Sequence, residues 1–206
     1  MMTSTASKIR MWDERYRTDT YAYGKDPNLF FSTQLEKIVP GRLLLPGEGE
    51  GRNAVYAASR GWSVDAFDQS AFGKIKALAL AGELGVEIRY GVCAMEDFPF
   101  GQDQYDAVGL IFFHLDPARR ALLHRKACES LKPGGSLILE AFHKEQLNRN
   151  SGGPQSPELL FDEGTLASDF ESLEIRFLEK KEIILTEGSF HRGEATVVRF
   201  LGIKPG

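Results

Sequence analysis

The segment from Leu43 to Ala54 constrains the fold of this chain more than any other stretch. Three consecutive leucines predict a short buried strand, and glycines at positions 47, 49 and 51 predict a tight turn after it. The run that begins at Asn53 predicts a helix. A strand that turns through glycines into a helix exposes bare backbone and the unpaired N–H groups of the helix N-terminus. The sequence therefore predicts a ligand site at this glycine turn, Gly47–Gly51.

Strand and helix patterns alternate after residue 41. We predict strands over residues 42–45, 63–67, 86–90, 105–113 and 136–142, with helices over 53–60, 70–84 and 116–131. Ser70 and Asp116 are of the residue types that cap helix N-termini. Successive strand–helix units require right-handed crossovers, which predicts an open parallel sheet with helices on both faces.

The two ends of the chain have a different character. We expect residues 1–8 to be disordered, and helices over residues 11–17, 29–38 and 159–170. Residues 148–157 are polar and rich in glycine, serine, asparagine and proline, which predicts a mobile loop or lid. Two long strands, 173–185 and 195–203, are joined through Glu187-Gly188 and are therefore predicted to be antiparallel.

Composition argues against several classes of protein. A net charge of -4 with scattered Lys and Arg disfavours binding of nucleic acid. No apolar run approaches the ~18–20 residues that a membrane span needs, and the polar start of the chain does not fit a secretory signal. Cys93 and Cys128 are the only cysteines, and their spacing fits neither a disulfide framework nor a zinc site. We therefore expect one domain in a reducing cytoplasm, with no membrane partner and no metal.

An acidic residue, Asp68, ends the second predicted strand. A carboxylate at the carboxyl edge of that strand is well placed to accept both hydroxyls of a ribose. The alternative is that Asp68 only caps the next helix, although Ser70 is the better cap candidate. The dinucleotide fingerprint G-x-G-x-x-G has its third glycine where this chain has Arg52. The turn and Asp68 together predict a nucleoside ligand smaller than a dinucleotide.

The order of motifs along the chain carries a family resemblance. The glycine turn, Asp68, Tyr105-Asp106-Ala107-Val108 on the fourth strand and Leu131-Lys132-Pro133-Gly134-Gly135 before the fifth follow one another. From about Arg42 to Phe142 this order resembles the class I S-adenosylmethionine-dependent methyltransferases, and the C-terminal hairpin resembles their strands six and seven. The resemblance implies an α/β fold with a three-layer, doubly wound sheet in the order 3-2-1-4-5-7-6, with strand 7 antiparallel.

Three shorter segments resemble the tellurite-resistance and thiopurine methyltransferase-like branch of that family. They are Met11-Trp12-Asp13-Glu14-Arg15-Tyr16, the segment from Tyr23 to Asn28, and Gly49-Glu50-Gly51-Arg52-Asn53-Ala54. The resemblance implies a single methyltransferase domain over residues 1–206. It would comprise an N-terminal helical lid segment (1–40), a cofactor-binding core (41–142), and an acceptor-side loop with the C-terminal antiparallel hairpin (143–206).

The implied cofactor is S-adenosyl-L-methionine, with S-adenosyl-L-homocysteine as product. The resemblance assigns its binding to Gly47, Glu48, Gly49, Gly51, Asp68, Gln69, Ala94, Met95 and Phe112. The chain departs from the family at Leu45 and Ala94, where an acid is usual. Each departure removes a polar anchor, and either Glu48 or Glu96 is a candidate replacement.

The methyl acceptor is harder to derive from the sequence. A sulfonium donor needs no metal or protein nucleophile, so the expected function is methyl transfer to a small soft nucleophile such as a thiol or a chalcogen oxyanion. A non-catalytic S-adenosylmethionine-binding module is the alternative, and a nicotinamide oxidoreductase is a third reading that Arg52 disfavours. The identity of the acceptor, the use of a general base and the oligomeric state stay open.

Candidate acceptor contacts are His114, His143, His191 and Arg192. His114 either acts as a base or acceptor contact, or makes a hydrogen bond where the chain enters the next helix. The His191-Arg192 pair either binds an anionic acceptor or lies at an exposed hairpin tip. His124 is expected at the surface. Trp12, Tyr16 and Tyr23 are either an aromatic lid over the sulfonium or ordinary packing of an N-terminal helix.

Overall fold

A computed structural model describes residues 5–206, with the side chains of residues 11–206. The strands are β1 (Arg42–Pro46), β2 (Ser63–Asp68), β3 (Arg89–Val92), β4 (Tyr105–Ile111), β5 (Leu131–Phe142), β6 (Glu174–Glu187) and β7 (His191–Ile203). The helices are α1 (Thr5–Tyr16), α2 (Leu29–Leu35), α3 (Arg52–Ser59), α4 (Ala71–Glu83), α5 (Pro117–Ser130) and α6 (Glu163–Asp169).

All seven of these strands form one sheet in the order β3-β2-β1-β4-β5-β7-β6. Strands β1 to β5 pair in parallel, and β7 is antiparallel to both β5 and β6. The predicted α/β fold and strand order are therefore confirmed. The carboxyl ends of β1, β2 and β4 meet at one edge of the sheet, where folds of this kind bind their ligands.

The core lies on both faces of the sheet. Leu43 and Leu45 of β1 pack with Phe31 and Ala54 on the face covered by α2 and α3. Leu44, between them, points to the opposite face and packs with residues such as Phe170 beside α5 and α6. All three leucines are fully buried, as expected for a central parallel strand.

The helix caps follow the sequence. The Ser70 hydroxyl accepts a hydrogen bond from the Gly73 amide at 3.1 Å and caps α4. The Asp116 carboxylate accepts from the Arg119 amide at 3.2 Å and caps α5. Both predicted N-caps are confirmed, and they fix where the chain enters each helix from the ligand-binding edge.

Several predicted boundaries were wrong. Helix α1 begins at Thr5, inside the stretch expected to be disordered, of which residues 1–4 lie outside the described part. The predicted helix over 159–170 is shortened to α6, because the Asp162 side chain accepts from the Thr165 amide at 2.7 Å and starts a new helix. Strand β3 begins at Arg89, which pairs with Asp65, whereas the Val86 amide donates back to Ala81 at the end of α4.

His124 is a clear correction, since it is 1% exposed and not on the surface. Its Nδ1 lies 2.8 Å from an Asp169 carboxylate oxygen, and its ring stacks on Phe170 with centroids 4.4 Å apart. Burial lowers the pKa of His124, so the ring is neutral at neutral pH. The histidine thus joins α5 to α6.

Within residues 5–206 no helix combines the length and the apolar character that crossing a bilayer requires. The same part of the chain holds no group of three or more His, Cys, Asp or Glu side chains arranged for a metal ion.

Candidate active site

A cavity of about 750 Å³ opens at the carboxyl edge of the sheet. Its walls come from the glycine turn, the ends of β2 and β4, helix α1 with the segment that follows it, and the turn between β6 and β7. Its volume is within the range of small-molecule sites. The cavity is continuous from Asp68 at one end to His191 at the other.

Most of the residues predicted to bind a cofactor meet in this cavity. Gly47, Glu48, Gly49, Asp68, Gln69, Met95 and Phe112 line it. Gly51 does not, because a Cβ there would lie 2.5 Å from the Ala77 Cβ; the glycine permits close packing of the turn on α4. Ala94 also lies outside the lining. The Met95 side chain belongs to the core below the cavity.

Asp68 is held at the cavity wall by two backbone donors. Its Oδ2 accepts from the Gly49 amide at 3.1 Å and its Oδ1 accepts from the Ser70 amide at 2.9 Å. Burial raises the pKa of Asp68 to about 6, and the backbone donors act in the opposite direction. Each carboxylate oxygen keeps a further lone pair, so Asp68 can still accept from two ligand hydroxyls.

Glu48 closes the N-terminus of α3 from within the chain. One of its oxygens accepts from the Asn53 and Ala54 amides, both at 2.8 Å, and the other accepts from the Asn53 side chain at 3.3 Å. These amides belong to the first turn of the helix, where a bound phosphate finds its donors. Burial raises the pKa of Glu48 to about 7. The cradle therefore suits a nucleoside without phosphates.

The other polar side chains beside the glycines hold the N-terminal segment in place. Glu50 accepts from the Ala22 amide at 2.7 Å, and Asn53 accepts from the Asn28 amide at 2.9 Å. Arg52 donates to the Tyr23 carbonyl at 3.2 Å. This anchoring was not predicted, although charged residues inside a buried glycine-rich turn were a visible signal that they have partners.

The N-terminal aromatic residues form one wall of the cavity. Trp12 and Tyr16 stack with centroids 5.6 Å apart, and both line the cavity together with Tyr23. A Cβ on Gly49 would lie 2.7 Å from the Tyr16 hydroxyl, so this ring rests directly on the glycine turn. The placement suits an aromatic lid, and it also buries Tyr16 in ordinary packing.

Phe112 follows β4 in a backbone conformation that is unusual for a bulky residue, with a φ of 51°. This bend sends two successive aromatic rings to different walls. The Phe113 ring packs on the glycine turn, within 2.7 Å of where a Gly47 Cβ would stand. The Phe112 ring lies against Phe142 and His191, each with a centroid distance of 4.6 Å. Strain of this kind concentrates at functional sites.

His191 is buried and faces the cavity. Its Nδ1 is 3.1 Å from a Glu187 carboxylate oxygen, and its ring packs on Tyr23 at 4.4 Å. Because Nδ1 donates to the carboxylate, Nε2 carries the lone pair. Burial lowers the pKa of His191, so the neutral form prevails at neutral pH. Burial alone would raise the pKa of Glu187, but the hydrogen bonds and charges of His191 and Arg52 lower it to about 2.

His114 also lines the cavity, but both of its ring nitrogens are engaged. Nδ1 lies 2.7 Å from the Leu159 carbonyl, to which it donates, and Nε2 accepts from the Phe142 amide at 3.4 Å. Burial lowers the pKa of His114 to about 4. Of the two roles considered for this residue, the geometry fits the hydrogen bond that fixes local structure, not the base.

Two predicted acceptor residues lie elsewhere. His143 does not line the cavity, because its Nδ1 accepts from the Glu145 amide at 3.1 Å and its Nε2 lies 3.3 Å from Glu163. Arg192 follows His191 on β7, and alternation along the strand turns its side chain outward to solvent. His191 and Arg192 therefore cannot bind one anion together. We do not propose His143 or Arg192 as a contact of the acceptor.

The predicted lid loop borders the cavity through Arg149, Asn150 and residues 152–155. Gln146 holds its base, donating to the Ser151 hydroxyl at 2.9 Å and to the Gly152 carbonyl at 3.0 Å. A Cβ on Gly153 would lie 2.8 Å from the Phe142 ring, so the loop packs closely on that ring.

Part of the chain matches a known protein family. Residues 44–135 match the family model described as a methyltransferase domain. No curated protein matches the chain. The matched segment runs from β1 to the start of β5 and includes the glycine turn and Asp68.

Three solved structures share the fold. TehB from Haemophilus influenzae has a TM-score of 0.71 and 17% identity, over 96% of this chain and 67% of that one. The cyclase SpnF has a TM-score of 0.72 and 15% identity, over 98% and 96%. A protein described by the conversion of a disulfide bond into a thioacetal group during echinomycin biosynthesis has a TM-score of 0.72 and 18% identity, over 96% and 92%. At these identities the likeness is one of fold.

Proposed function

We propose that this chain is a class I S-adenosylmethionine-dependent methyltransferase, because residues 44–135 match a methyltransferase domain, and that it methylates a small molecule bound beside Phe112 and His191. The observation that carries the proposal is the single cavity that joins the Asp68 end to the His191 end. A methyl donor and its acceptor need such a shared space, since the reacting atoms must lie in line and away from water.

The residues at the Asp68 end fit the cofactor. Asp68 would accept the ribose hydroxyls, Gly47 and Gly49 would lie along the thioether chain, and Met95 and Gln69 would edge the adenine. The cofactor has no phosphate, which agrees with the closure of the α3 N-terminus by Glu48. No polar role falls to Leu45, which is fully buried in the core.

Replacing Asp68 by alanine is expected to weaken binding of S-adenosylhomocysteine by roughly 10- to 150-fold, because charge-assisted hydrogen bonds of about 1.5–3 kcal/mol are lost. Isothermal calorimetry measures the change. The matched control is Asp65→Asn on the same strand, where the carboxylate pairs with Arg42 and Arg89 outside the cavity. Unchanged affinity in Asp68→Ala would mean that the ribose lies elsewhere.

Binding of S-adenosylhomocysteine should also depend on pH. Ribose hydroxyls donate to the ionised carboxylate, and the pKa of Asp68 is raised to about 6, so a proton must leave below that pH before the ligand binds. We expect affinity to be constant above about pH 7 and to fall by up to about tenfold per unit below pH 6. In Asp68→Asn this decrease should disappear. A wild-type affinity that rises on acidification would contradict the assignment.

His191 is the residue best placed to act on the acceptor. Its ring lines the cavity, and the hydrogen bond from Nδ1 to Glu187 fixes the ring orientation and leaves the lone pair on Nε2. An acceptor that arrives protonated, such as a thiol, would pass its proton to Nε2 as its lone pair attacks. The sulfonium of the bound cofactor supplies an activated methyl group. The rings of Phe112, Phe142 and Tyr23 exclude water around the reacting atoms.

We propose a soft nucleophile as acceptor, either a thiol or an oxyanion of a heavier chalcogen. Aromatic walls and a neutral imidazole suit a polarisable sulfur or selenium atom better than a strongly hydrated hard base. One structure of the same fold is described by a reaction at a disulfide. The tellurite-resistance-like character of the N-terminal segment supports the same choice of acceptor.

The decisive experiment is transfer of a labelled methyl group to a panel of thiols, selenite and tellurite. A methylated product from any of them supports the proposal. Binding of S-adenosylhomocysteine without transfer to any acceptor would favour the alternative, a non-catalytic binding module, to which the missing acids at positions 45 and 94 give some support.

The arrangement of the chain remains part of the same proposal. We propose one domain, in which residues 1–40 form the lid segment, 41–142 the cofactor-binding core and 143–206 the acceptor side. A reducing cytoplasm suits the two free thiols, Cys93 and Cys128. Fractionation of the cells that make the protein would test the compartment.

A further inference from the structure

Most arginines at the cavity have a carboxylate partner. Arg52 pairs with Glu187 at 2.9 Å, Arg119 with Glu96 at 2.5 Å and Arg149 with Glu182 at 2.8 Å. Arg15 also lines the cavity, yet no carboxylate among the side chains of residues 11–206 lies within ion-pair distance of it. A cation without an anionic partner in a ligand cavity points to an anion that arrives with the ligand.

The guanidinium of Arg15 is held in a fixed plane. Its central carbon lies 4.8 Å from the Trp12 ring centroid and 4.6 Å from that of Phe190, so the cation is packed between two aromatic faces. One of its five N–H donors is used, by Nη1, which donates to the Tyr23 hydroxyl at 2.6 Å. Packing of this kind restricts the side chain before any ligand binds, which lowers the entropic cost of binding.

Tyr23 supplies a second donor. Its hydroxyl accepts from Arg15, which leaves the phenolic proton free to donate, and the hydrogen bonds described for residues 11–206 give that proton no acceptor. The Tyr23 ring is fixed on its other side by His191 at 4.4 Å. Arg15 and Tyr23 thus present a cationic fork and an O–H group side by side in the cavity wall.

We propose that Arg15 and Tyr23 form a subsite for a carboxylate or a similar anion. The inference rests on the cofactor site proposed above, since it assigns a further part of the same cavity. Tyr16, the next residue along α1, lies against the glycine turn, whereas Phe190 precedes His191 on the acceptor side. The subsite lies between the two ends, so its anion is either the amino-acid carboxylate of the cofactor or an anionic group of the acceptor.

A purely structural role for Arg15 is the competing explanation. The residue is in the last turn of α1, where a cation stabilises the helix dipole. Three variants separate the roles. Arg15→Met removes charge and donors at similar length, Arg15→Lys keeps the charge without the planar fork, and Tyr23→Phe removes only the hydroxyl.

The experiment is calorimetric titration with two nucleosides, S-adenosylhomocysteine and 5′-methylthioadenosine, which lacks the amino-acid end. If the cofactor supplies the anion, Arg15→Met should bind S-adenosylhomocysteine at least about tenfold more weakly and bind methylthioadenosine unchanged. Tyr23→Phe should lose roughly 2- to 12-fold for the first ligand alone. Arg15→Lys should fall between wild type and Arg15→Met.

If the acceptor supplies the anion, both nucleosides should bind the variants normally. Benzoate, added to protein saturated with S-adenosylhomocysteine, should then bind wild type and fail to bind Arg15→Met. Equal losses for both nucleosides would overturn the proposal in favour of a structural role, and so would unchanged binding of all three ligands. If wild type binds neither nucleoside, the proposed cofactor site fails separately, and benzoate binding to the free protein alone decides the subsite.

Discussion

Replacing His191 by glutamine is expected to lower kcat for a thiol acceptor by roughly 10²- to 10⁴-fold, the usual contribution of a general base. His191 lines the cavity, and its Nδ1 hydrogen bond to Glu187 leaves the lone pair on Nε2 for the acceptor that we propose. Affinity for S-adenosylhomocysteine should not change, because Asp68 binds at the other end of the cavity. Initial rates at saturating cofactor measure the effect.

Two comparisons make this prediction specific. An acceptor whose nucleophilic lone pair is already free, such as the selenium of selenite, has no proton to lose from the attacking atom and should lose little rate in the same variant. Arg192→Gln is the matched control, since Arg192 is adjacent in sequence but turned to solvent. Equal losses with thiol and selenite would show that His191 only shapes the pocket. A burial-lowered pKa of His191 also means that wild-type kcat, measured at saturating cofactor, should persist below pH 6.5.

The second large effect concerns stability. Replacing Arg52 by methionine is expected to lower the free energy of unfolding by about 3–5 kcal/mol, because it leaves the buried Glu187 carboxylate without its cation. The side chains of this pair are 8% and 16% exposed, and their closest atoms are 2.9 Å apart. Denaturant unfolding followed by circular dichroism provides the measurement.

The double variant Arg52→Met/Glu187→Leu tests the cause. Removing both charges should recover a large part of the loss, since no unpaired charge then stays buried. Arg125→Met on the exposed face of α5, where Arg125 pairs with Glu129 along the helix, should unfold like wild type. A double variant less stable than Arg52→Met would show that Glu187 stabilises the fold mainly through its hydrogen bonds with His191 and Asn28, and not through Arg52.

Local patterns were sufficient to predict the α/β class of the fold. The leucines of β1 and the Ser70 and Asp116 caps are decided within a few residues, and the succession of strand–helix units predicted a parallel sheet. The ligand edge was predictable for the same reason, because the carboxyl ends of parallel strands always meet there. The strand order, by contrast, was predicted from the family resemblance.

Long-range partners account for what the sequence did not reveal. The surface placement of His124 failed because Asp169, its partner, is 45 residues away, and helix periodicity did not reveal which side packs against α6. The role of Arg52 required Glu187, which is 135 residues away. By contrast, Arg15 lies one helical turn from Trp12, so its place on the aromatic face was available from spacing alone.

The carboxylate that Glu48 places on the first turn of α3 also determines which abundant metabolites can compete for the cavity. A pyrophosphate there would find the Asn53 and Ala54 amides already bonded to the Glu48 carboxyl. Each charge-assisted hydrogen bond that the pyrophosphate cannot make is worth about 1.5–3 kcal/mol, equivalent to roughly 10- to 150-fold in affinity. ATP and NAD share the adenosine of the cofactor, and we expect this one side chain to weaken their binding without contacting the adenine.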